Sequence, residues 1–172
     1  MAKSNDQIIY DVAISEGFNP TAAKLIVAQA RFESADYTSR VFKTDNNTSG
    51  MKYIGQPLAV RGSISPEGNY YARFKSVEDS ARDKVGRLYN ITMRGITPEQ
   101  LKNVQNADEF ASLLKKRGYY GAPESQYAAG LKAKLLRIQV VEFVTKNKNK
   151  LLIGLGLLAL AGAYYLYTKG KK

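Results

Sequence analysis

The chain has 172 residues, of which 44% are hydrophobic and 24% charged, and its formal net charge is +11. This composition is ordinary for a folded protein, and the length fits one domain with a core plus an appendage, without room for a second enzyme domain. The sequence contains no cysteine and no histidine, which excludes disulfides, thiol nucleophiles, histidine-based triads and the usual zinc sites. Any catalysis must therefore use carboxylates, tyrosines and amides, and we expect neither a cofactor nor a metal ion.

Two helices are predicted at the start of the chain, at residues 6–16 and 20–34. Asn19 and Pro20 supply a cap and a first-turn residue for the second of them. Apolar residues recur on one face of this helix, and Glu33 lies in line with that face near its end. A carboxyl group partly withdrawn from water can hold a proton and donate it to a leaving oxygen, which makes Glu33 a candidate general acid. The alternative is a solvated side chain, the usual state of a glutamate in the last turn of a helix.

Residues 52–75 are predicted to form a β-hairpin. Short apolar and polar stretches alternate here around the turn signal Ser65-Pro66-Glu67-Gly68. Between Asp45 and Glu78, Glu67 is the one carboxylate that could serve as a second catalytic group. An acid next to glycine in a hairpin turn is also ordinary turn chemistry, so both interpretations of Glu67 stay open.

Four further helices are predicted after the hairpin, at residues 77–90, 98–104, 107–117 and 124–144. Three of them follow a side chain that can accept hydrogen bonds from free helix amides. These candidate caps are Ser76, Thr97 and Asn106.

The end of the chain predicts a membrane anchor. Residues 151–168 contain no charged side chain, and at about 1.5 Å per residue they span roughly 27 Å, close to the bilayer's hydrocarbon core of about 30 Å. Lysines border the segment on both sides, and three tyrosines cluster at one end, where amphipathic rings favour the membrane interface. We therefore expect a basic linker at residues 146–150, a single transmembrane helix at 151–168 and a basic tail at 169–172. The alternative is a buried core helix.

The positive charge is concentrated at the C-terminal end. Six lysines follow Thr145, and no acidic residue follows Glu142. The smaller excess on the rest of the chain fits either plain solubility or attraction to an anionic cell-wall polymer. Nucleic-acid binding is not expected, because basic residues are dispersed among acids and no DNA- or RNA-binding motif is present.

Two separated sequence blocks resemble one enzyme family. Residues 28–52, AQARFESADYTSRVFKTDNNTSGMK, are similar to the catalytic segment of bacterial N-acetylglucosaminidases of the autolysin and flagellar-rod type, members of the lysozyme-like superfamily. Residues 110–135, FASLLKKRGYYGAPESQYAAGLKAKL, resemble the closing segment of that family, a helix, a Gly-Tyr loop and a further helix. Between the two blocks, residues 70–89 resemble the family's strand and following helix. The resemblance covers about residues 8–138.

The resemblance implies an α+β fold, a predominantly helical lysozyme-like domain over residues 1–145 with a small β-hairpin lobe and a cleft between the lobes. It implies a peptidoglycan hydrolase of N-acetylglucosaminidase type that cuts the β-1,4 glycan strand, with Glu33 as general acid. Tyr119 best matches the family's catalytic-site tyrosine, although an aromatic residue that simply packs against the helices would look the same. The candidate substrate-binding residues are Asn47, Tyr70, Tyr71 and Tyr120.

The second catalytic group is less well defined by the resemblance. The family's second acid usually precedes the hairpin turn, whereas Glu67 lies within it. The 2-acetamido group of the substrate could replace such an acid. Two other functions also stay open: a lytic transglycosylase, which needs one carboxylate, and a non-catalytic glycan-binding or structural virion membrane protein on the same fold.

Topology suggests where such an enzyme would work. The N-terminal residues include acids and no apolar run, so no secretory signal is expected. A C-terminal anchor in a bacterial inner membrane would leave the enzyme on the wrong side to meet peptidoglycan. A bacteriophage with an internal virion membrane would resolve this conflict. The expected partners are then the peptidoglycan glycan strand, the lipid bilayer, and capsid or other virion proteins.

Overall fold

The structure is a computed structural model that describes residues 3–139 and residue 142. One compact unit ends at Leu135 and a second begins at Leu136. All side-chain contacts discussed below lie within the first unit.

Two packed helices form the base of the first unit. Helix α1 spans Asn5–Ser15 and helix α2 spans Pro20–Glu33. The Asn19 side chain accepts a hydrogen bond from the Ala22 amide at 2.7 Å, which caps α2 as the sequence predicts. Helix α2 is the most deeply buried helix of the core, because eight of its residues are buried. It therefore fixes the position of its last residue, Glu33, against the rest of the fold.

A short helix and a two-stranded hairpin form the smaller lobe. Helix α3 spans Arg40–Asp45, strand β1 spans Ala59–Ile64 and strand β2 spans Tyr70–Phe74. The strands are antiparallel, with Ala59 opposite Phe74, and their register is irregular near the turn. Helix α3 packs on both strands, and the inner side of the hairpin packs on Met51. This smaller lobe forms the wall of the cleft that lies opposite the helices.

The remaining helices complete the helical lobe. Helix α4, Val77–Lys84, continues directly into a π-helical segment, Val85–Tyr89. Helix α5 spans Pro98–Lys102, helix α6 spans Ala107–Lys116, and residues 124–139 form helix α7. The three predicted caps at Ser76, Thr97 and Asn106 each accept a hydrogen bond from a backbone amide. The predicted mostly helical, lysozyme-like fold with a small hairpin lobe is thus confirmed.

The predicted fold class needs one correction. Within residues 3–139 and 142, no helix is both long and apolar enough to cross a membrane, so the C-terminal transmembrane helix in the predicted fold class is not supported. The described helices bury one face and expose polar residues on the other, as helices around a globular core do. Residues 151–168, from which the transmembrane prediction was made, lie outside the described residues. The predicted domain limits at residues 145, 150 and 168 stay predictions.

Candidate active site

Helix α2 ends at the wall of a cavity of about 390 Å³, and its last residue, Glu33, contributes to that wall. The Glu33 side chain is 14% exposed. It is therefore largely withdrawn from water but open to a molecule that enters the cavity. The cavity is lined by Glu33, Ser49, Met51, Lys52, Ile54, Arg87, Leu88, Tyr119 and Tyr120.

Both carboxyl oxygens of Glu33 have hydrogen-bond partners. Oε1 accepts from the Tyr127 hydroxyl at 2.8 Å. Oε2 accepts from the Tyr119 hydroxyl at 3.0 Å and from the Lys84 ammonium at 3.3 Å. Because a tyrosine hydroxyl can either donate or accept, the two tyrosines can hold the carboxyl in place with or without a proton.

A buried network supports these tyrosines. Gln29, one turn before Glu33 on α2, donates from Nε2 to the Tyr127 hydroxyl at 2.8 Å, and its Oε1 accepts from the Tyr89 hydroxyl. Burial raises the pKa of Tyr89, Tyr119 and Tyr127, and the nearby Glu33 charge raises it further. All three phenols are therefore neutral at physiological pH and remain available as hydrogen-bond donors.

Lys84 is a buried cation at the same site. The residue is 1% exposed, and its Nζ donates to Ser49 Oγ at 2.6 Å as well as to Glu33. Burial lowers the pKa of Lys84, while the Glu33 charge and hydrogen bond act in the opposite direction. A lysine is almost never fully buried without such a partner.

A left-handed turn follows Glu33 directly. Ala35, Asp36 and Tyr37 have φ values of 52°, 52° and 65°, which for residues other than glycine cost of order 1–3 kcal/mol each. Ser34 holds the turn: its Oγ donates to the Ala30 carbonyl at 2.6 Å and accepts from the Tyr37 amide at 3.0 Å. The chain therefore turns sharply after α2, and the Asp36 amide donates back to the Arg31 carbonyl at 2.7 Å.

An ion-pair cluster holds the same turn from outside. Arg31 donates to both carboxylate oxygens of Asp6, with its shortest contact at 2.7 Å, and to Asp36 at 3.2 Å. Lys134 on α7 donates to Asp36 at 2.6 Å. The turn after Glu33 is thus tied to α1 and to α7.

The structure brings Glu33, Tyr119 and Tyr120 together at the cavity, but it places Glu67 differently. Glu67 lies in the hairpin turn and its side chain is 65% exposed, paired with Lys52 Nζ at 2.8 Å. The hydrogen bond from Lys52 is the main cause that lowers the pKa of Glu67 to about 2. Lys52 itself lines the cavity, so Glu67 is connected to the site only through this lysine.

Asn47 is buried below the loop that carries Ser49. Its amide nitrogen donates to the carbonyls of Met51 and Ala72 at 2.8 and 2.9 Å. Its oxygen accepts from the amides of Ser49 and Met51 at 3.2 and 3.0 Å. These bonds use the whole side-chain amide to shape the loop, and the structure does not place Asn47 at the cavity surface.

Tyr70 and Tyr71 lie on β2, beside the loop that carries Lys52. Tyr70 lines a neighbouring depression of about 810 Å³, where the Arg61 guanidinium lies 5.4 Å from its ring centroid. The Tyr71 ring centroid lies 4.2 Å from Lys52 Nζ. The two depressions share Lys52 and Ile54 in their linings.

Sequence reasoning missed the roles of Lys84, Ser49 and Tyr127 at this site. Tyr127 lies in the Tyr-Ala pair of the closing segment, which was the available signal for it. Lys84 lies four residues after Ser80 and three after Ala81, on the buried face of α4, so the helical period was the available signal for it. Ser49 lies within the 28–52 block, but its place at the cavity depends on the folded loop.

The carboxylates of the described residues are not grouped for a metal ion. Within residues 3–139 and 142, no cluster of three or more acidic side chains could hold one.

A helical domain with a small hairpin lobe, and with one shielded carboxyl group at the wall of its cleft, has the group that acid catalysis in glycoside hydrolases needs. Residues 7–139 match the glucosaminidase family, described as mannosyl-glycoprotein endo-beta-N-acetylglucosaminidase. The match spans well over half of the chain, and the chain belongs to this family. The predicted resemblance to N-acetylglucosaminidases and the prediction of a glycoside hydrolase are confirmed.

Solved structures share the fold at low sequence identity. A type VI secretion system effector–immunity complex from Pseudomonas protegens matches with a TM-score of 0.56 and 17% identity, over 76% of this chain and 88% of that one. The catalytic domain of the autolysin Auto from Listeria monocytogenes matches with a TM-score of 0.53 and 18% identity, over 83% and 89%. A peptidoglycan hydrolase from Sphingomonas sp. A1 matches with a TM-score of 0.51 and 19% identity, over 76% and 88%.

No curated protein matches the sequence at a significant level. The matches found give no support to the predicted phage origin.

Proposed function

We propose that the protein is a peptidoglycan hydrolase that cleaves the β-1,4 glycan strand, with Glu33 as the general acid. The family membership and the names of two structural neighbours, an autolysin and a peptidoglycan hydrolase, support this substrate. One observation carries the proposal. The carboxyl of Glu33 lines the cavity while two tyrosine hydroxyls and an ammonium fix it from behind.

In the proposed reaction Glu33 donates its proton to the glycosidic oxygen as an oxocarbenium-like centre develops on the sugar. Tyr119 and Tyr127 keep the carboxyl aimed at the cavity before and after the transfer. Preorganised groups of this kind need no rearrangement at the moment of reaction.

The cleft offers room for more than one sugar. The cavity at Glu33 and the depression at Tyr70 adjoin through Lys52 and Ile54, so a strand bound at the acid can continue along the hairpin lobe. The exposed ring of Tyr70 supplies a flat apolar surface there, and Lys52 and Arg61 supply hydrogen-bond donors. We assign this depression to binding the sugars that flank the cleaved bond.

We propose that the 2-acetamido group of the substrate takes the place of a second protein carboxylate. Among the described residues that line the cavity, Glu33 is the only carboxylate, while Glu67 lies outside it in an ion pair. The 2-acetamido group can attack the anomeric carbon in place of a protein nucleophile, after which water completes hydrolysis.

The single carboxylate in the described lining of the cavity also favours a second candidate function, lytic transglycosylation. In that reaction a hydroxyl of the sugar itself attacks the anomeric carbon, so one protein carboxylate is sufficient. The two reactions differ in their products: hydrolysis leaves a reducing end, whereas transglycosylation leaves an anhydro end.

Mass spectrometry of fragments released from purified cell walls tests the proposal. We expect fragments with reducing N-acetylglucosamine ends. Anhydro ends would establish the transglycosylase, reducing N-acetylmuramic acid ends would establish a muramidase, and the release of no glycan fragments would refute the proposed function.

A further inference from the structure

Lys84 is a buried cation that the proposed reaction uses only to hold Glu33. Its Nζ lies 3.3 Å from Glu33 Oε2 and 2.6 Å from Ser49 Oγ. The side chain is 2% exposed, so water does not screen these interactions as it would on the surface. The ammonium thus connects the general acid to a second group on the cavity wall.

The contact with Ser49 prepares that hydroxyl for a ligand. Because Ser49 Oγ accepts from Lys84, its own hydrogen can point elsewhere. Thr48 Oγ1 lies 3.5 Å from Ser49 Oγ, while Ser49 also lines the cavity. The Ser49 hydroxyl can therefore donate to an oxygen of a bound sugar, with the ammonium behind it strengthening the donor.

The loop that carries Ser49 is fixed independently of Lys84. The Ser49 amide donates to Asn47 Oδ1 at 3.2 Å, and the Thr48 amide donates to Ser80 Oγ at 3.1 Å. Removal of the Lys84 charge should therefore change the two contacts of its ammonium and leave the path of the loop in place.

The charge of Lys84 acts on Glu33 together with several other groups. Lys84 is the only cation that contacts Glu33 among the described residues. The other charged or titratable groups that face or surround Glu33 are Tyr119, Tyr127, Tyr89, Lys52 and Arg87.

We propose that Lys84 is a positioning residue: its ammonium fixes Glu33 and Ser49 on one cavity wall and orients the Ser49 hydroxyl toward an oxygen of the bound sugar. This inference rests on the proposed function, because it assigns Lys84 a role in the reaction of Glu33. Lys84 acts through Glu33 and Ser49 and touches no substrate.

The steady-state kinetics of Lys84→Met on purified cell walls test the inference in the full-length chain. Without the ammonium, kcat should fall roughly tenfold to a hundredfold because the acid is less well positioned, while KM should change by less than about a factor of three. The matched control is Lys132→Met, which removes an exposed lysine paired with Asp108 and should leave kcat and KM unchanged.

Lys84→Met removes one partner of a buried ion pair, which destabilises a fold. A second measurement therefore keeps Lys84 in place. The Lys84 Nζ resonance is followed with pH by nitrogen-15 NMR in the natural sequence and in Glu33→Gln. Since the Glu33 charge raises the pKa of Lys84, the titration midpoint should be lower in Glu33→Gln. Equal midpoints, or a folded Lys84→Met protein with an unchanged kcat, would overturn the inference.

The two measurements separate the inference from the proposed function. If the natural sequence releases no wall fragments, the proposed function fails, and the NMR comparison still decides whether Lys84 and Glu33 are coupled. If wall cleavage is observed but the kcat of Lys84→Met is unchanged, only the inference about Lys84 fails.

Discussion

The environment of Glu33 is assembled from side chains far away in the sequence. Among the described residues its three hydrogen-bond partners, Lys84, Tyr119 and Tyr127, are separated from it by 51, 86 and 94 residues. Each comes from a different segment: the end of α4, the loop after α6, and α7. The carboxyl is therefore held by tertiary structure rather than by its own helix.

We expect Glu33→Gln to reduce wall cleavage by roughly 100 to 10,000-fold, the contribution typical of general acid catalysis. The amide keeps the shape of the side chain but cannot act as the acid. Turbidity loss of purified walls measures the rate, and thermal unfolding checks the fold. Glu78→Gln is the control, because Glu78 forms an exposed pair with Arg82. A folded Glu33→Gln protein that retains substantial activity would refute the role of Glu33.

We expect Glu67→Gln to reduce cleavage by less than about tenfold, since general acid–base groups contribute roughly 100-fold or more and Glu67 does not line the cavity at Glu33. Loss of its charge should act only indirectly, through the freed Lys52. Steady-state rates of Glu67→Gln and Glu33→Gln on the same wall preparation measure the difference. A loss as large as that of Glu33→Gln would instead assign Glu67 as the base or nucleophile.

At the scale of elements, Asp45 joins α3 to the hairpin. Its carboxylate is fully buried and accepts from the Ser63 amide at 3.0 Å, the Ser63 hydroxyl at 2.5 Å and Arg73 Nε at 2.8 Å. Burial raises the pKa of Asp45, but the hydrogen bonds from Ser63 and Arg73 outweigh it and leave the pKa lowered. The stability that Asp45 contributes is therefore present above pH 4 and is lost as pH falls through its lowered pKa.

Gly62→Ala should loosen this junction. A Cβ atom at residue 62 would lie 2.8 Å from Asp45 Cγ and 2.9 Å from the Tyr71 carbonyl oxygen, and such overpacking typically costs about 1–3 kcal/mol. Chemical denaturation measures the free energy of unfolding.

The control for this prediction is Gly86→Ala in the π-helical segment. A Cβ atom there meets nothing within 4 Å, so stability should be unchanged or slightly increased, by up to about 1 kcal/mol. Equal stability of Gly62→Ala and the natural sequence would show that α3 and the hairpin are not in the close contact described.

The sequence predicted elements that are defined by local signals. Asn19, Ser76, Thr97 and Asn106 mark helix starts because capping involves residues only two or three positions apart. The hairpin was predicted because its turn signal is also local. Local patterns thus accounted for the main helices and for the two strands.

The elements missed by the sequence depend on distant partners. Helix α3 has six residues, too few for a clear period, and it packs on strands that follow it in the chain. The left-handed turn at residues 35–37 contains no glycine, the usual signal for that conformation. It is held by Ser34, Arg31 and Lys134 instead. The π-helical segment after Lys84 has no local signal, although such segments are frequent at functional sites.

At the scale of the whole molecule, the side chains of the described residues that hydrogen-bond to Glu33 all precede Leu135. A chain of residues 1–145 should therefore cleave walls with a kcat/KM within about a factor of three of the full-length chain, a change of less than about 0.7 kcal/mol in transition-state stabilisation. The comparison uses equal concentrations of both proteins on the same wall preparation. The control is a chain ending at residue 120, which lacks Tyr127 and should be inactive. Loss of activity in residues 1–145 would contradict the predicted domain limit.

The separation of Glu33 from Tyr127 also has a consequence for the synthesis of the protein. The ribosome adds Glu33 to the chain 94 residues before Tyr127, whose hydroxyl donates to Glu33 Oε1. Until α7 has left the ribosome and folded back, the Glu33 carboxyl lacks this partner, and Gln29 lacks the hydroxyl to which its amide donates. Unfinished chains therefore lack the complete environment of Glu33, and under the proposed mechanism activity arises late in translation, once the domain is nearly complete.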